Sequence, residues 1–79
     1  MDTYTAIKER LLGLLGERRL SVHALAIASS VPPSTIKNIL YGKSKNPGVV
    51  TLKMLCDGLG ISLTEFFETD VFRTLEEEL

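Results

Sequence analysis

The segment Leu20-Ser-Val-His-Ala-Leu-Ala-Ile-Ala-Ser-Ser-Val-Pro-Pro-Ser-Thr-Ile-Lys-Asn-Ile-Leu-Tyr-Gly42 constrains this chain most, because it reads as two short helices joined by a tight turn. Ser21 can cap the first of the pair, its hydroxyl taking one of the amide hydrogens that the opening turn leaves unpaired. Ala24, Leu25 and Ala28 are expected to face inward, and the small Ala26 lets another backbone come close. The helix should stop near Ser29-Ser30. Pro33 fits the first position of the second helix, where its missing N–H would have had no partner anyway. Ile36, Ile39 and Leu40 then supply a buried side, and Gly42 is the stop.

Helical spacing continues on both flanks. Ile7, Leu11, Leu14 and Leu15 form one apolar stripe behind possible caps at Asp2 and Thr3, predicting a first helix that ends at Gly16 or at Arg18-Arg19. After the polar, turn-rich loop Lys43-Ser-Lys-Asn-Pro-Gly48, a fourth helix is predicted from Val49, Leu52, Leu55, Cys56 and Leu59, closing at Gly60. Ser62-Leu-Thr-Glu65 has the form of a capping box and predicts a fifth short helix carrying Leu63, Phe66 and Phe67. In the last residues Val71, Phe72, Leu75 and Leu79 suggest an acidic amphipathic extension that needs an apolar surface to lie on. The expected fold class is therefore all-α: a compact five-helix domain over residues 1–67, its paired helices at 21–42, followed by an acidic tail over 68–79.

Charge is distributed unevenly along this pattern. The chain has nine Lys and Arg against ten Asp and Glu, a net charge of -1. Yet between Arg18 and Lys53 there are six basic residues and no acid, whereas beyond residue 53 Arg73 stands alone against seven acids. The chain is a dipole in sequence, and a positive stretch on paired helices is what a phosphate backbone attracts.

Seventy-nine residues make one domain, and at this size folding buries only roughly 60% of the unfolded surface, so the core must be well patterned. The single Cys56 excludes an internal disulfide, and nothing resembles a secretory signal or an 18-residue apolar span. A reduced, soluble, cytoplasmic setting is the expectation. His23 is the only histidine, which leaves it no partner for a metal site or a base–nucleophile pair; an exposed place early in the second helix is expected. Cys56 reads as a small buried thiol. Glu76 to Glu78 read as a solvated charge run, and no catalytic constellation, cofactor site or metal cluster is expected.

The order of Leu25-Ala26, Val31, Ser34-Thr35-Ile36, Ile39, Gly42-Lys43, Asn46-Pro47, Thr51-Leu52, Leu55, Leu59-Gly60-Ile61-Ser62-Leu63 and Phe66-Phe67 closely resembles the phage-repressor and Cro class of helix-turn-helix domains, the XRE family. The likeness covers about residues 4 to 67. It implies a lambda-repressor-like fold, and a third helix that enters the major groove of double-stranded DNA while neighbouring segments hold phosphates. Carried over position by position, the resemblance makes Ser34, Lys37 and Asn38 the base readers: Ser34 suits several bases, Lys37 the O6 and N7 of guanine, and Asn38 adenine. It makes Ser21 with the amides it fronts, Tyr41, Lys43, Lys45 and Asn46 the phosphate set.

Departures from the family pattern are equally specific. Val22 stands where many members have a phosphate-touching Gln, and Pro33 where well-known repressors carry a polar base reader. Pro32 and Gly48 replace common Ser caps. Ser30 replaces the Gly usual in the turn, so a non-glycine residue must accept φ > 0 there.

The resemblance implies a sequence-specific transcriptional regulator, a repressor, acting as a homodimer on half-sites about 10 base pairs apart. The alternative keeps the fold but makes a protein the main partner, as in an antitoxin or adaptor gripped through the apolar tail. The tail itself leaves three arrangements open: folded back on its own domain, frayed, or serving as a dimer contact. No membrane partner is expected.

Overall fold

Capping residues set the boundaries of the helices in the computed structural model, which describes residues 1–78: α1 (Thr3–Arg18), α2 (Val22–Ser29), α3 (Pro33–Leu40), α4 (Val49–Leu59), α5 (Leu63–Phe67) and α6 (Asp70–Arg73). Among the described residues there is no strand. The first five are the helices that the periodicity predicts, and α6 is a single four-residue turn within the extension. The Asp2 carboxylate accepts from the Thr5 amide at 2.8 Å and the Ser21 hydroxyl from the Ala24 amide at 3.0 Å. The capping box of α5 is complete: Ser62 accepts from the Glu65 amide at 3.0 Å while Glu65 takes the Ser62 amide at 3.2 Å. Helices α3 and α4, entered through Pro32 and Gly48, have no side-chain cap.

At the other ends, α1 runs through Gly16 and closes at Arg19, which adopts a left-handed conformation with φ 52°. Two bonds across that closure, Leu20 N–H to Leu15 O at 3.0 Å and Arg19 N–H to Gly16 O at 3.2 Å, satisfy carbonyls that would otherwise be orphaned. Gly60 does the same for α4 at φ 73° without a Cβ to strain. Ser30, in the turn between α2 and α3, takes φ 57°, so the turn keeps its left-handed geometry without glycine.

The core joins one face of each of the first five helices. Ile7, Leu11, Leu14 and Leu15 of α1, Ile36, Ile39 and Leu40 of α3, and Leu52, Leu55, Cys56 and Leu59 of α4 are all buried, with Phe66 of α5 closing one end. Two details differ from the periodic reading. The inward face of α2 is Leu25, Ala26 and Ser29, while Ala28 is exposed; and Val49, although in phase with the α4 stripe, is 70% exposed. Val49 and Val50 open α4 outside the packed core, which the helix enters at Leu52.

The α2 stripe is rotated because α2 packs most extensively against α4. The two backbones meet at Gly58, where an added Cβ would lie 2.8 Å from Ser29 Cβ and 2.9 Å from Ser29 Cα. Ser29 is accordingly buried, and its polar atom is satisfied locally: the hydroxyl donates to Leu25 O at 2.6 Å and accepts from the Val31 amide at 3.3 Å.

The tail folds back. Phe72 of α6 packs its ring 4.9 Å from Phe67 and 6.2 Å from Phe66, centroid to centroid. The chain then returns to its own start, where the Met1 ammonium meets Glu76 at 2.6 Å, and Thr3 donates to Glu78 from its amide at 3.0 Å and its hydroxyl at 2.7 Å. Leu79, the last member of the expected apolar stripe, lies outside the described residues.

Gly58→Ala is expected to destabilise the domain by about 1–3 kcal/mol through overpacking against Ser29. Gly13→Ala, on an exposed stretch of α1 where a Cβ meets nothing within 4 Å, should stabilise it by about 0.5–1 kcal/mol. Urea unfolding midpoints of the two variants check both signs.

Candidate nucleic-acid interface

Helix α3 can present a fixed surface only if its exposed carbonyl end is held, and α1 and the loop after α3 together hold it. The last carbonyls of α3 have no intrahelical partners: Lys37 O accepts from the Tyr41 amide at 2.8 Å, Asn38 O from the Ser44 amide at 2.9 Å, and Ile39 O from the Tyr4 hydroxyl at 2.6 Å. The first continues the helical pattern into the cap at Tyr41, and the second folds the loop after α3 back onto the helix. The third ties the C-terminal end of α3 to α1, 35 residues earlier in the chain.

The same helix closes two others. Arg10 donates through Nε to Phe66 O at 2.9 Å and through a terminal nitrogen to Glu65 O at 3.0 Å, with its guanidinium 5.9 Å from the centre of the Phe66 ring. Arg18 donates to Leu59 O, the final carbonyl of α4. Cations at helix C-termini meet both the unpaired carbonyls and the negative end of the helix dipole. Tyr4, Arg10, Arg18 and Gly58 thus position the surface, and none is singled out by sequence alone. Gly58 had a readable signal, a glycine inside a helical run; the other three had none, since their partners lie 35 to 56 residues away.

With its C-terminal end fixed and Ile36, Ile39 and Leu40 buried, α3 turns Ser34, Lys37 and Asn38 to solvent. These three stand at i, i+3 and i+4, so they share one helix face. Tyr41, 74% exposed, and exposed Lys43, Lys45 and Asn46 follow in the returning loop. Gly42 permits the reversal with φ 86°. Ser21, exposed at the start of α2, caps Ala24, and the helix's opening amides before it have no intrahelical partner.

The six basic residues of the acid-free stretch do not act together. Arg18 closes α4, and Lys53 pairs with Asp57 one turn along α4. Among the described residues, no carboxylate lies within ion-pair distance of Lys37, Lys43 or Lys45. Space does bring one acid into the neighbourhood of Lys45. The Asp2 carboxyl is held below its usual range, first by hydrogen bonding from Thr5 and then by the N-terminal ammonium and Lys45. The absence of acids around Lys45 is therefore a property of the sequence, not of the folded surface.

His23 is exposed on α2, as its position suggests, and contributes to a shallow cleft beside the α2–α3 turn. Cys56 is fully buried, and burial pushes its thiol above the ordinary range. Among the described residues, no group of three His, Cys, Asp or Glu side chains is placed to hold a metal ion, and no helix is long and apolar enough to cross a membrane.

Two helices joined by a left-handed turn, the second exposing a polar face beside a basic loop, define a helix-turn-helix domain. A family model of the Cro/C1-type HTH DNA-binding domain matches residues 10–71, and the chain belongs to that family. Among solved structures it is similar to the crystal structure of the prophage Lp1 protein 11, with 28% sequence identity and a TM-score of 0.79 over 95% of this chain and 100% of that one. No curated protein matches it.

Tyr4→Phe removes the hydroxyl that meets Ile39 O and should lower stability by about 0.5–1.5 kcal/mol. Hydrogen exchange offers the sharper reading: the amides at the C-terminal end of α3 and in the loop to Ser44 should lose protection more than those of α4.

Proposed function

We propose that this protein is a transcriptional regulator, acting as a repressor in the cytoplasm, that binds operator DNA sequence-specifically as a homodimer with α3 in the major groove. The observation that carries this reading is the exposed face of Ser34, Lys37 and Asn38 on the second helix of a Cro/C1-type domain, next to a loop that offers Tyr41, Lys43, Lys45 and Asn46. On a duplex, Ser34, Lys37 and Asn38 read base edges, Lys37 favouring guanine and Asn38 adenine. Ser21 with the amides it fronts, Tyr41, Lys43, Lys45 and Asn46 hold phosphates and set the register.

Pairing of two copies is assigned to the α5 side, where a groove of about 510 Å³ lies between the start of α4 and α5. Val49, Leu52, Leu63 and Phe67 line it, with Glu68 and Arg73 beside them. Val50, 74% exposed, sits next to it in sequence. A two-fold axis there sets the valines of each copy against the groove of the other and gives Glu68 an opposite charge to face. The alternative, a module whose main partner is a protein held by the tail, needs apolar side chains free to engage it. Phe72 already packs on Phe66 and Phe67, and for that reason the DNA reading is preferred.

Binding to duplex DNA should weaken steeply with salt. With Lys43 and Lys45 neutralising phosphates on both subunits, log K should fall against log salt with a slope of about -4, and Lys43→Ala should reduce that slope by about 2 while weakening all sequences alike. Asn38→Ala should instead cost about 1–3 kcal/mol at one base pair of each half-site. A binding curve indifferent to salt removes the proposal. Val50→Glu, at an exposed position, should leave the helical circular dichroism unchanged and convert a dimer into a monomer in sedimentation; a wild-type protein that is monomeric where it binds DNA removes the dimer.

A further inference from the structure

Pro33 opens α3 and is exposed, at the end of the helix where the base-reading face begins. Its side chain cannot hydrogen-bond a base, since it is hydrocarbon only and the ring nitrogen carries no hydrogen. Its surroundings are apolar as well. Pro32 is exposed beside it, and the two prolines line a cleft of about 330 Å³ with Ile27, itself 70% exposed, and with His23 and Val31. A proline ring is rigid, so presenting it costs no side-chain entropy.

A major groove shows hydrogen-bond acceptors, amino groups and one apolar substituent, the C5-methyl of thymine. We propose that Pro33 is a specificity-determining residue that reads a thymine methyl by apolar contact, with Ile27 and Pro32 excluding water from its flank. This rests on the DNA-binding reading above and deepens it. The polar reader missing at this position is replaced by an apolar one. Ser34 follows it in the chain and Lys37 lies one turn further on, so a single helix face then combines a methyl contact with hydrogen bonds.

The test uses the full chain and a duplex selected from a random library by binding to it. Each thymine of the selected site is replaced in turn by uracil, which deletes only the methyl. One position per half-site should bind about fourfold more weakly, the ratio equivalent to about 0.8 kcal/mol for one buried methyl group. At that position, 5-methylcytosine paired with guanine should exceed unmodified cytosine paired with guanine by the same factor. Pro33→Ser should bind the thymine and uracil duplexes equally. If no thymine shows the loss, or if the loss persists in Pro33→Ser, the proposal is overturned and the cleft serves another class of partner. Where Pro33→Ser folds poorly by circular dichroism, Pro33→Gln makes the same comparison at the same position, with the same outcomes supporting or overturning the proposal. Failure of the DNA-binding reading would look different: no duplex would be enriched at all.

Discussion

Helix α1 closes the C-terminal ends of three other helices, and the geometry of the binding surface depends on it. A helix end buried without partners for its carbonyls is costly, about 1–3 kcal/mol for each unsatisfied group. Here Tyr4 meets α3, Arg18 meets α4 and Arg10 meets α5. The three donors lie along a sixteen-residue helix that also carries Ile7, Leu11, Leu14 and Leu15 into the core, with Tyr4 and Arg18 continuing the same helical row at its two ends. One rigid element therefore satisfies polar ends and supplies apolar area together, which is how a chain of this size holds α3 in a fixed pose.

A second contact, between α2 and α4, sets how the helix-turn-helix stands on that support. Gly58 brings the α4 backbone onto Ser29 so closely that a methyl group would collide. Ser29 ends α2, and Ser30 starts the turn into α3. Any shift at this contact is passed directly to the turn that orients α3. The buried Ser29 hydroxyl, bonded to Leu25 O and to the Val31 amide, stiffens the same joint.

Much of the candidate site was legible from residue order. Ser21 as a cap, Pro33 at the first helical position and Gly42 at the reversal act through local chemistry that neighbours within a few residues decide, and the structure places each in that role. The exposure of Ser34, Lys37 and Asn38 followed from the burial of Ile36, Ile39 and Leu40. What order could not supply was the use made of charges. Arg18 and Lys53 count as basic residues of one stretch, yet one caps α4 and the other pairs with Asp57, and Asp2 comes near Lys45 from the far end of the chain.

The sequence by itself determined the helices, their boundaries to within a residue or two, and the family, because caps, breakers and a 3.6-residue period act over a few residues. It also separated the basic middle of the chain from its acidic end. Tertiary structure decided which face of α2 turns inward, replacing Ala28 with Ser29, and it decided that the tail lies across the start of α1 rather than standing free. It decided, too, that Tyr4, Arg10 and Arg18 matter to a surface they do not belong to. Those outcomes depend on partners 29 or more residues away, and a contact between distant residues leaves no local pattern to read.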